Sequence, residues 1–312
     1  MLSKKCQICD SEFDSEKGLH LHVSRTHKTT QKDYYHKFFP RKNLLTERLI
    51  PFKNKKDYFR RDFANRPELI EWCHKEDPGK VKPYVLNLLK KRIDDKSLEY
   101  APNHLEMMLH EMPTVDAYVK IFGSYANACK LLDIEPLFTR GISENIFDNG
   151  ENFDSMEILA DTREQKPLSF PNQESLKLDF GDYTVGGEFY SNTYIDRKSE
   201  GDFKTTLSQF NLDRFDRELE RAREFDSYLY IVVESSIPKI KLNNNFKSHK
   251  YNLHYIFHNM RVMQHKFRGS CQFLFTGGRA ESEKIIPILL AYGNKLWEVD
   301  LQYYIDKYGI NC

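Results

Sequence analysis

Asp196, Arg197 and Lys198 stand in a row, with Asp202 after a gap of three residues. An acid, one spacer and a lysine form the core of a site that hydrolyses phosphodiesters with a metal ion. More acids lie upstream, in Gly181-Asp182-Tyr183 and in Asp161-Thr162-Arg163-Glu164. Carboxylates suit a hard divalent cation, which prefers oxygen ligands. Such a cation polarises the phosphate and generates hydroxide near neutral pH. A lysine beside it orients the attacking water and offsets the charge that develops on the phosphate.

Such chemistry needs the acids delivered to one place, and the apolar pattern suggests how. Met156–Ala160 is a short apolar run that ends at Asp161, and Leu176–Phe180 alternates up to Gly181-Asp182. Tyr183–Val185 with Gly186-Gly187 reads as a strand and hairpin turn, and Tyr194-Ile195 leads into Asp196. Leu212, Phe215, Leu219 and Ala222 recur at helical spacing. Beyond them, Tyr228–Val233 and Gln272–Phe275 read as strands, and Tyr255–Met263 and Glu281–Leu290 as helices. Strands alternating with helices predict an α/β sandwich around a mixed sheet, with the acids at one edge.

Together these residues resemble the ERCC4-type (XPF/MUS81/Hef-like) nuclease domain. Its Asp-x-Arg-Glu, Gly-Asp and Glu-Arg-Lys-x3-Asp elements appear here as Asp161-x-Arg163-Glu164, Gly181-Asp182 and Asp196-Arg197-Lys198-x3-Asp202. The resemblance spans about 155–295 and implies the restriction-endonuclease-like, PD-(D/E)XK fold. It implies Asp182 and Asp196 as direct ligands of Mg²⁺ or Mn²⁺, with Asp161 binding directly or through water. Lys198 would position the water. Arg163 and Arg197 would engage phosphate, Glu164 would orient one of them, and Asp202 would hold Lys198 or Arg197. Asp196 stands where the family has Glu, and the hairpin before it is slightly long. Asp213-Arg214 and Glu218 stand where the family often has Gly-Arg and Gln. No tandem helix-hairpin-helix module follows, so substrate recognition is expected from the N-terminal half. The family often works as dimers, so a homodimer is an implied partner.

A second metal pattern opens the chain. Cys6-x2-Cys9, twelve residues, then His22-x4-His27 is the ligand spacing of a Cys2His2 zinc site. Phe13 and Leu19 fall where a small apolar core is needed, and His20 is a rival ligand. The segment resembles a C2H2 zinc finger. Its base-reading positions would be Ser15, Gly18 and Leu21, none of which offers a bidentate fork. Backbone contact or docking is therefore expected of it.

The 312 residues carry 47 basic and 46 acidic side chains, but the first sixty hold roughly twice as many basic as acidic ones. The aromatics Tyr34, Tyr35, Phe38 and Phe39 lie among them, a pattern that fits nucleic-acid contact. Pro40 and Pro51 interrupt any long helix there. Helices are predicted after Asn65-Arg66-Pro67, over Val81–Ile93, after Pro113-Thr114 and after Gly123-Ser124. The last two, through Asp133-Ile134-Glu135-Pro136, resemble the helical repeat attached to homing endonucleases. Six cysteines without a paired framework fit a reducing compartment. With no membrane-length apolar run and no leader-like N-terminus, a soluble intracellular protein is expected.

The expected organisation is a zinc finger at 1–30, a basic aromatic linker at 31–65 and a helical DNA-binding region at 66–140. An exposed acidic linker at 141–154 then leads to the nuclease domain at 155–312. A metal-dependent DNA endonuclease of homing or mobile-element type is the first functional expectation. The rivals are a structure-selective nuclease for flaps, forks or branches, and a non-catalytic DNA-binding protein on a nuclease fold.

Overall fold

The computed structural model describes residues 4–142, 146–148, 151–246 and 251–310. The chain forms two compact units, Met1–Leu88 with His110–Gly123, and Leu89–Leu109 with Ser124–Cys312.

The first unit begins with α1 (Glu16–Thr26), α2 (Gln31–Phe38), α3 (Lys55–Arg60) and α4 (Arg66–Lys75). Each starts where a side chain takes up a free backbone N–H of the first turn. Ser15 accepts from Gly18, Thr30 from Asp33, Asn54 from Asp57 and Asn65 from Glu68. Residues 31–65 are not a bare linker. Tyr34, Tyr35, Ile50 and Tyr58 are buried in one cluster with Leu19 and Val23 of α1, and Phe38, Phe39, Phe52 and Phe59 pack against it. Tyr35 stacks on Phe52 with ring centroids 5.2 Å apart. The aromatics expected at a nucleic-acid surface are thus largely interior, because a short segment needs its rings to make a core. The helix α5 (Pro78–Lys96) begins in this unit and ends in the second.

The second unit continues with β1 (Tyr100–Ala101) and α6 (His104–Leu109), and α7 (Val115–Phe122) returns to the first. Then come α8 (Tyr125–Lys130) and β2 (Glu135–Pro136), the parallel partner of β1. Thr114 caps α7, Gly123 ends it in the left-handed region at φ 80°, and Ser124 caps α8.

Six strands form the main sheet: β3 (Ile158–Asp161), β4 (Gln173–Leu176), β5 (Tyr183–Val185), β6 (Thr193–Lys198), β7 (Tyr228–Val233) and β8 (Cys271–Phe275). Their spatial order is β4-β3-β5-β6-β7-β8. Strand β5 is antiparallel to β3 and β6, and the other pairs are parallel, so the sheet is mixed. The helices are α9 (Glu200–Thr206), α10 (Leu212–Glu224), α11 (Ile237–Phe246), α12 (Leu253–Lys266), α13 (Arg279–Tyr292) and α14 (Leu301–Tyr308).

Alternation along β7 shows why helices lie on both faces. Tyr228, Tyr230 and Val232 join the core formed with α13 and α14. Leu229, Ile231 and Val233 join the core formed with α9, α10, α11 and α12. The fold is an α/β sandwich of three layers, as the strand-helix alternation predicts.

Two expectations differ from this architecture. The strand expected at Leu176–Phe180 lies earlier, at Gln173–Leu176, although Leu178 and Phe180 are still buried. The Leu178 N–H leaves the sheet to donate to the Asp161 carboxylate at 2.8 Å. The stretch 141–154 is not simply an exposed linker either. Ile146 and Phe147 are buried in the sheet's core, with Ile142 and Phe153 packed against it. Residues 143–145 and 149–150 of that stretch lie outside the described residues. Among the described residues, no helix is long and apolar enough to cross a membrane.

Candidate functional site

Sheet topology brings the acids to one end. Asp161 closes β3, Asp182 precedes β5, and Asp196 lies in the second half of β6. Because β5 runs antiparallel to both neighbours, its start lies beside the ends of β3 and β6. Asp161, Asp182, Asp196 and Lys198 line one cleft of about 1020 Å³.

Gly181 fixes the approach of Asp182. Its φ is +59°, and a Cβ there would stand 2.5 Å from the Ile195 carbonyl oxygen. With only hydrogen at that position, the Asp182 N–H donates to the same carbonyl at 2.6 Å, one residue before Asp196. Gly181→Ala should cost about 2–3 kcal/mol of stability, from backbone strain and the clash. It should also weaken Mn²⁺ binding at temperatures where the variant is still folded, because Asp182 is displaced. A urea melt paired with a calorimetric Mn²⁺ titration checks this, and wild-type values in both would contradict it.

Alternation along β6 sorts the three central residues. Ile195 and Arg197 point to one face, Tyr194, Asp196 and Lys198 to the other. Lys198 donates to Asp196 Oδ1 at 2.6 Å. Asp196 is 4% exposed, and its Oδ2 is buried without a hydrogen-bond partner. Burial pulls the Lys198 pKa down, but the charges of Asp196, Glu218 and Asp182 outweigh it and raise the value. On the opposite face Arg197 is clamped between Glu164 at 3.0 Å and Glu234 at 2.9 Å. Its backbone N–H donates to Asp182 Oδ2 at 2.7 Å. Arg197 therefore sets the angle of Asp182, and its side chain is engaged by carboxylates in place of the expected phosphate. Of the two arginines expected beside Glu164, it pairs with Arg197.

Asp161 is engaged on both oxygens. Arg163 donates to Oδ1 from Nε at 2.7 Å and to Oδ2 from Nη2 at 2.8 Å, and the Arg163 and Leu178 N–H groups add to these. The Arg163 hydrogen bond, outweighing burial, holds its carboxyl down at about 2. Asp202 does not take its expected place on Lys198 or Arg197; its carboxylate accepts from Ser199 Oγ at 2.6 Å in the first turn of α9. A Ser-x-x-Asp sequence at a helix start makes that local bond readily.

Helix α10 adds groups to which no role was assigned by the motifs. Its apolar stripe faces the core, which leaves Arg214, Arg217, Glu218 and Arg221 along the cleft. Arg221 lies over the Phe180 ring at 4.9 Å. Arg214 has no ion pair among the described residues. The Glu218 carboxyl is pushed up by burial and then by Asp196. The i, i+3, i+7 spacing of Arg214, Arg217 and Arg221 is the sequence signal that marks this cationic face.

The donor set fits a divalent cation. Burial first, and the Asp196 charge second, push the Asp182 carboxyl up to about 7. Two buried acids that repel one another, one with an orphaned oxygen, are what a cation between them relieves. The pH dependence follows. Asp182 is raised above its ordinary 3.8, so in the metal-free protein its contribution to stability is fully present below that pH and lost as pH rises through about 7. A cation needs the carboxylate, so its affinity has the opposite slope. Affinity for Mn²⁺ should rise about tenfold from pH 6 to pH 8, as expected for a group titrating near 7. Calorimetric titration at the two pH values reads this out, and equal affinities would contradict it.

In the first unit, donor atoms of Cys6, Cys9, His22 and His27 lie within 4.8 Å of one another. Cys9 Sγ is 3.2 Å from His22 Nε2 and 3.3 Å from His27 Nε2, and the two Nε2 atoms are 3.1 Å apart. Tetrahedral zinc, with bonds of about 2.3 Å to sulfur and 2.0 Å to nitrogen, spaces such donors about 3.3–3.6 Å apart. The Thr26 hydroxyl lies 3.2 Å from His22 Nδ1, which leaves Nε2 toward the other three donors. His20 is excluded as the rival ligand, because its Nε2 bonds the Tyr35 hydroxyl at 2.8 Å. Hydrogen bonds from Ser11, His27 and His22 hold the Cys9 thiol down at about 6.

No protein-family model matches the chain, and no curated protein matches it. Solved structures similar to part of it include two of XPF. XPF from Aeropyrum pernix is 16% identical with a TM-score of 0.33, over 47% of this chain and 69% of that one. XPF from the same organism in a complex with DNA is 18% identical with a TM-score of 0.33, over 44% of this chain and 63% of that one.

Proposed function

We propose that the cleft at the end of the sheet is the active site of a metal-dependent DNA endonuclease of the ERCC4 type. The observation that carries this reading is the buried, unpartnered Oδ2 of Asp196, beside Asp182 and with Lys198 on its other oxygen. Asp182 and Asp196 supply the oxygens for Mg²⁺ or Mn²⁺, with Asp161 steadying the strand end through Arg163. When bound, the cation polarises the phosphate and lowers the pKa of water. Lys198 orients the attacking water and offsets charge on the phosphate oxygens. Water adds to phosphorus, and the bond to the 3′ oxygen breaks, leaving a 5′-phosphate and a 3′-hydroxyl. Arg214, Arg217 and Arg221 offer backbone contacts along the cleft.

The Cys2His2 cluster is read as a zinc finger for docking. Ser15 is taken up in capping α1, and Leu21 offers no hydrogen-bonding group, so neither is suited to read a base edge. The helices α7 and α8 support a homing-type or mobile-element role, in which a plain duplex is cut at one site. A structure-selective nuclease is the second reading, favoured by a cationic, aromatic-lined cleft described below. A panel of duplex, flap, fork and four-way DNA with Mg²⁺ or Mn²⁺ tests both. Cutting of plain duplex supports the first, and cutting of branched substrates alone supports the second. No cutting of any substrate overturns the enzyme reading and leaves a DNA-binding protein on a nuclease fold.

A further inference from the structure

A second cleft, of about 840 Å³, opens in the sheet-bearing unit beside the end of α5, β1 and α12. Its chemistry begins in a buried cluster of charges. Glu106 of α6 is 3% exposed and accepts from Arg92 Nε at 2.8 Å, while His265 approaches its other oxygen at 3.3 Å. Arg261, only 11% exposed, stands 3.9 Å from the same carboxylate. One carboxylate is thus shared by two arginines and a histidine.

Arg261 lines the cleft with most of its five donors unused. Its one hydrogen bond among the described residues is to His258 Nδ1, at 3.2 Å. Burial, with Arg92 adding repulsion, holds the Arg261 pKa below its ordinary value despite Glu106. The His258 pKa is lowered by burial and then by Arg261, Lys96 and Arg92. Lys96, on the rim, has no ion pair among the described residues. Other cations of the lining are already matched, Lys266 by Asp216 and Arg268 by Glu135. Glu99 and Glu298 also line the cleft, and Glu298 is drawn to Arg140. An excess of positive charge therefore gathers at Arg261 and Lys96. Phe138 and Trp297 stand in the same lining, and Trp297 is already stacked on Tyr228 at 5.1 Å through one face.

We propose that this cleft holds a single-stranded segment of nucleic acid, with backbone phosphate at Arg261 and Lys96 and a base against Phe138 or Trp297. Cations that meet phosphate beside aromatic faces that meet bases are the general means of binding single strands. The inference rests on the reading that this unit handles DNA. A flap or a fork with unpaired arms offers such a segment and a plain duplex does not.

The test uses the full chain in the Asp196→Asn background, so that bound DNA stays intact. Binding of a labelled twelve-residue oligothymidylate is followed by anisotropy across a salt series. Lys96→Glu lies on the surface and leaves the packing alone, and Arg261→Gln and Phe138→Ala probe the interior. The two charge variants should weaken binding about tenfold each. Each should also flatten the slope of log K against log salt by about 0.7 for every phosphate that is no longer neutralised. Phe138→Ala should weaken binding by about fivefold or more and leave the slope unchanged. In a background with Asp196 intact, hydrolysis of bis(p-nitrophenyl) phosphate should not change in Lys96→Glu. Unchanged oligonucleotide affinity in all three variants would overturn the proposal. So would equal losses with blunt duplex, or a response confined to inorganic phosphate. If the parent protein binds no nucleic acid of any kind, the nuclease reading fails as well. If it binds and only the variants are silent, this inference alone fails.

Discussion

Asp196→Asn should lower the rate of phosphodiester cleavage by about a thousandfold or more while leaving DNA affinity within about twofold. The substitution keeps the size of the side chain and removes its charge. It takes one anionic ligand from the proposed cation and the partner from Lys198 Nζ, so both halves of the proposed chemistry are lost together. Stability should move far less. The Asp196 charge is a cause of the raised Asp182 and Glu218 values, so removing it lets both carboxyls ionise more readily. That gain opposes the loss of the Lys198 salt bridge, so the metal-free variant should stay near the parent in stability at pH 7. A residue held only for structure would lose cleavage only in proportion to its loss of stability. Cleavage assays and urea melts on one preparation separate the two cases. Full cleavage, or a large loss of stability with cleavage scaling to match, would contradict the assignment.

Cys9→Ser should release zinc and unfold the start of the chain. Structural zinc contributes roughly 10–16 kcal/mol of apparent binding energy in finger peptides. A whole domain is stable by only about 5–15 kcal/mol. Leu19 and Val23 of α1 share a cluster with Tyr34, Tyr35, Ile50 and Tyr58, so the disorder should extend into residues 31–65. The sheet-bearing unit has two cores of its own and should keep its unfolding transition. Zinc content by colorimetric release, with limited proteolysis to locate the cuts, tests this. A variant that keeps one equivalent of zinc and resists proteases would contradict it.

The parts of the fold that can be read from the sequence are those with a local cause. The run Tyr228–Val233 is buried on both faces, so it reads as a central strand. The caps Asn65, Thr114 and Ser124 mark helix starts by side chains that bond the first turn. Strand β4 escapes such a reading because it is an edge strand of Gln, Glu, Ser and Leu, with no apolar face to mark it. Helix α11 contains Pro238 and a run of asparagines, which mask it.

The site is legible as a set of residue types, and its internal pairing is not. Nothing near Arg197 in the sequence points to Glu234, which reaches it because β7 lies beside β6. Glu218 approaches Asp196 only through the packing of α10 on the sheet. Asp202 follows the lysine at the family spacing, yet its bond to Ser199 is that of a helix start. Motifs name candidates, and tertiary packing decides which of them are free to bind a ligand.

The most direct measurement is calorimetric titration of Mn²⁺ into the zinc-loaded, magnesium-free protein and its Asp182→Asn and Asp196→Asn variants at pH 8. A cation held by these two carboxylates requires that the parent bind Mn²⁺ and that each variant lose at least about tenfold in affinity. Equal Mn²⁺ binding by all three proteins would place the cation elsewhere and remove the basis for catalysis in this cleft.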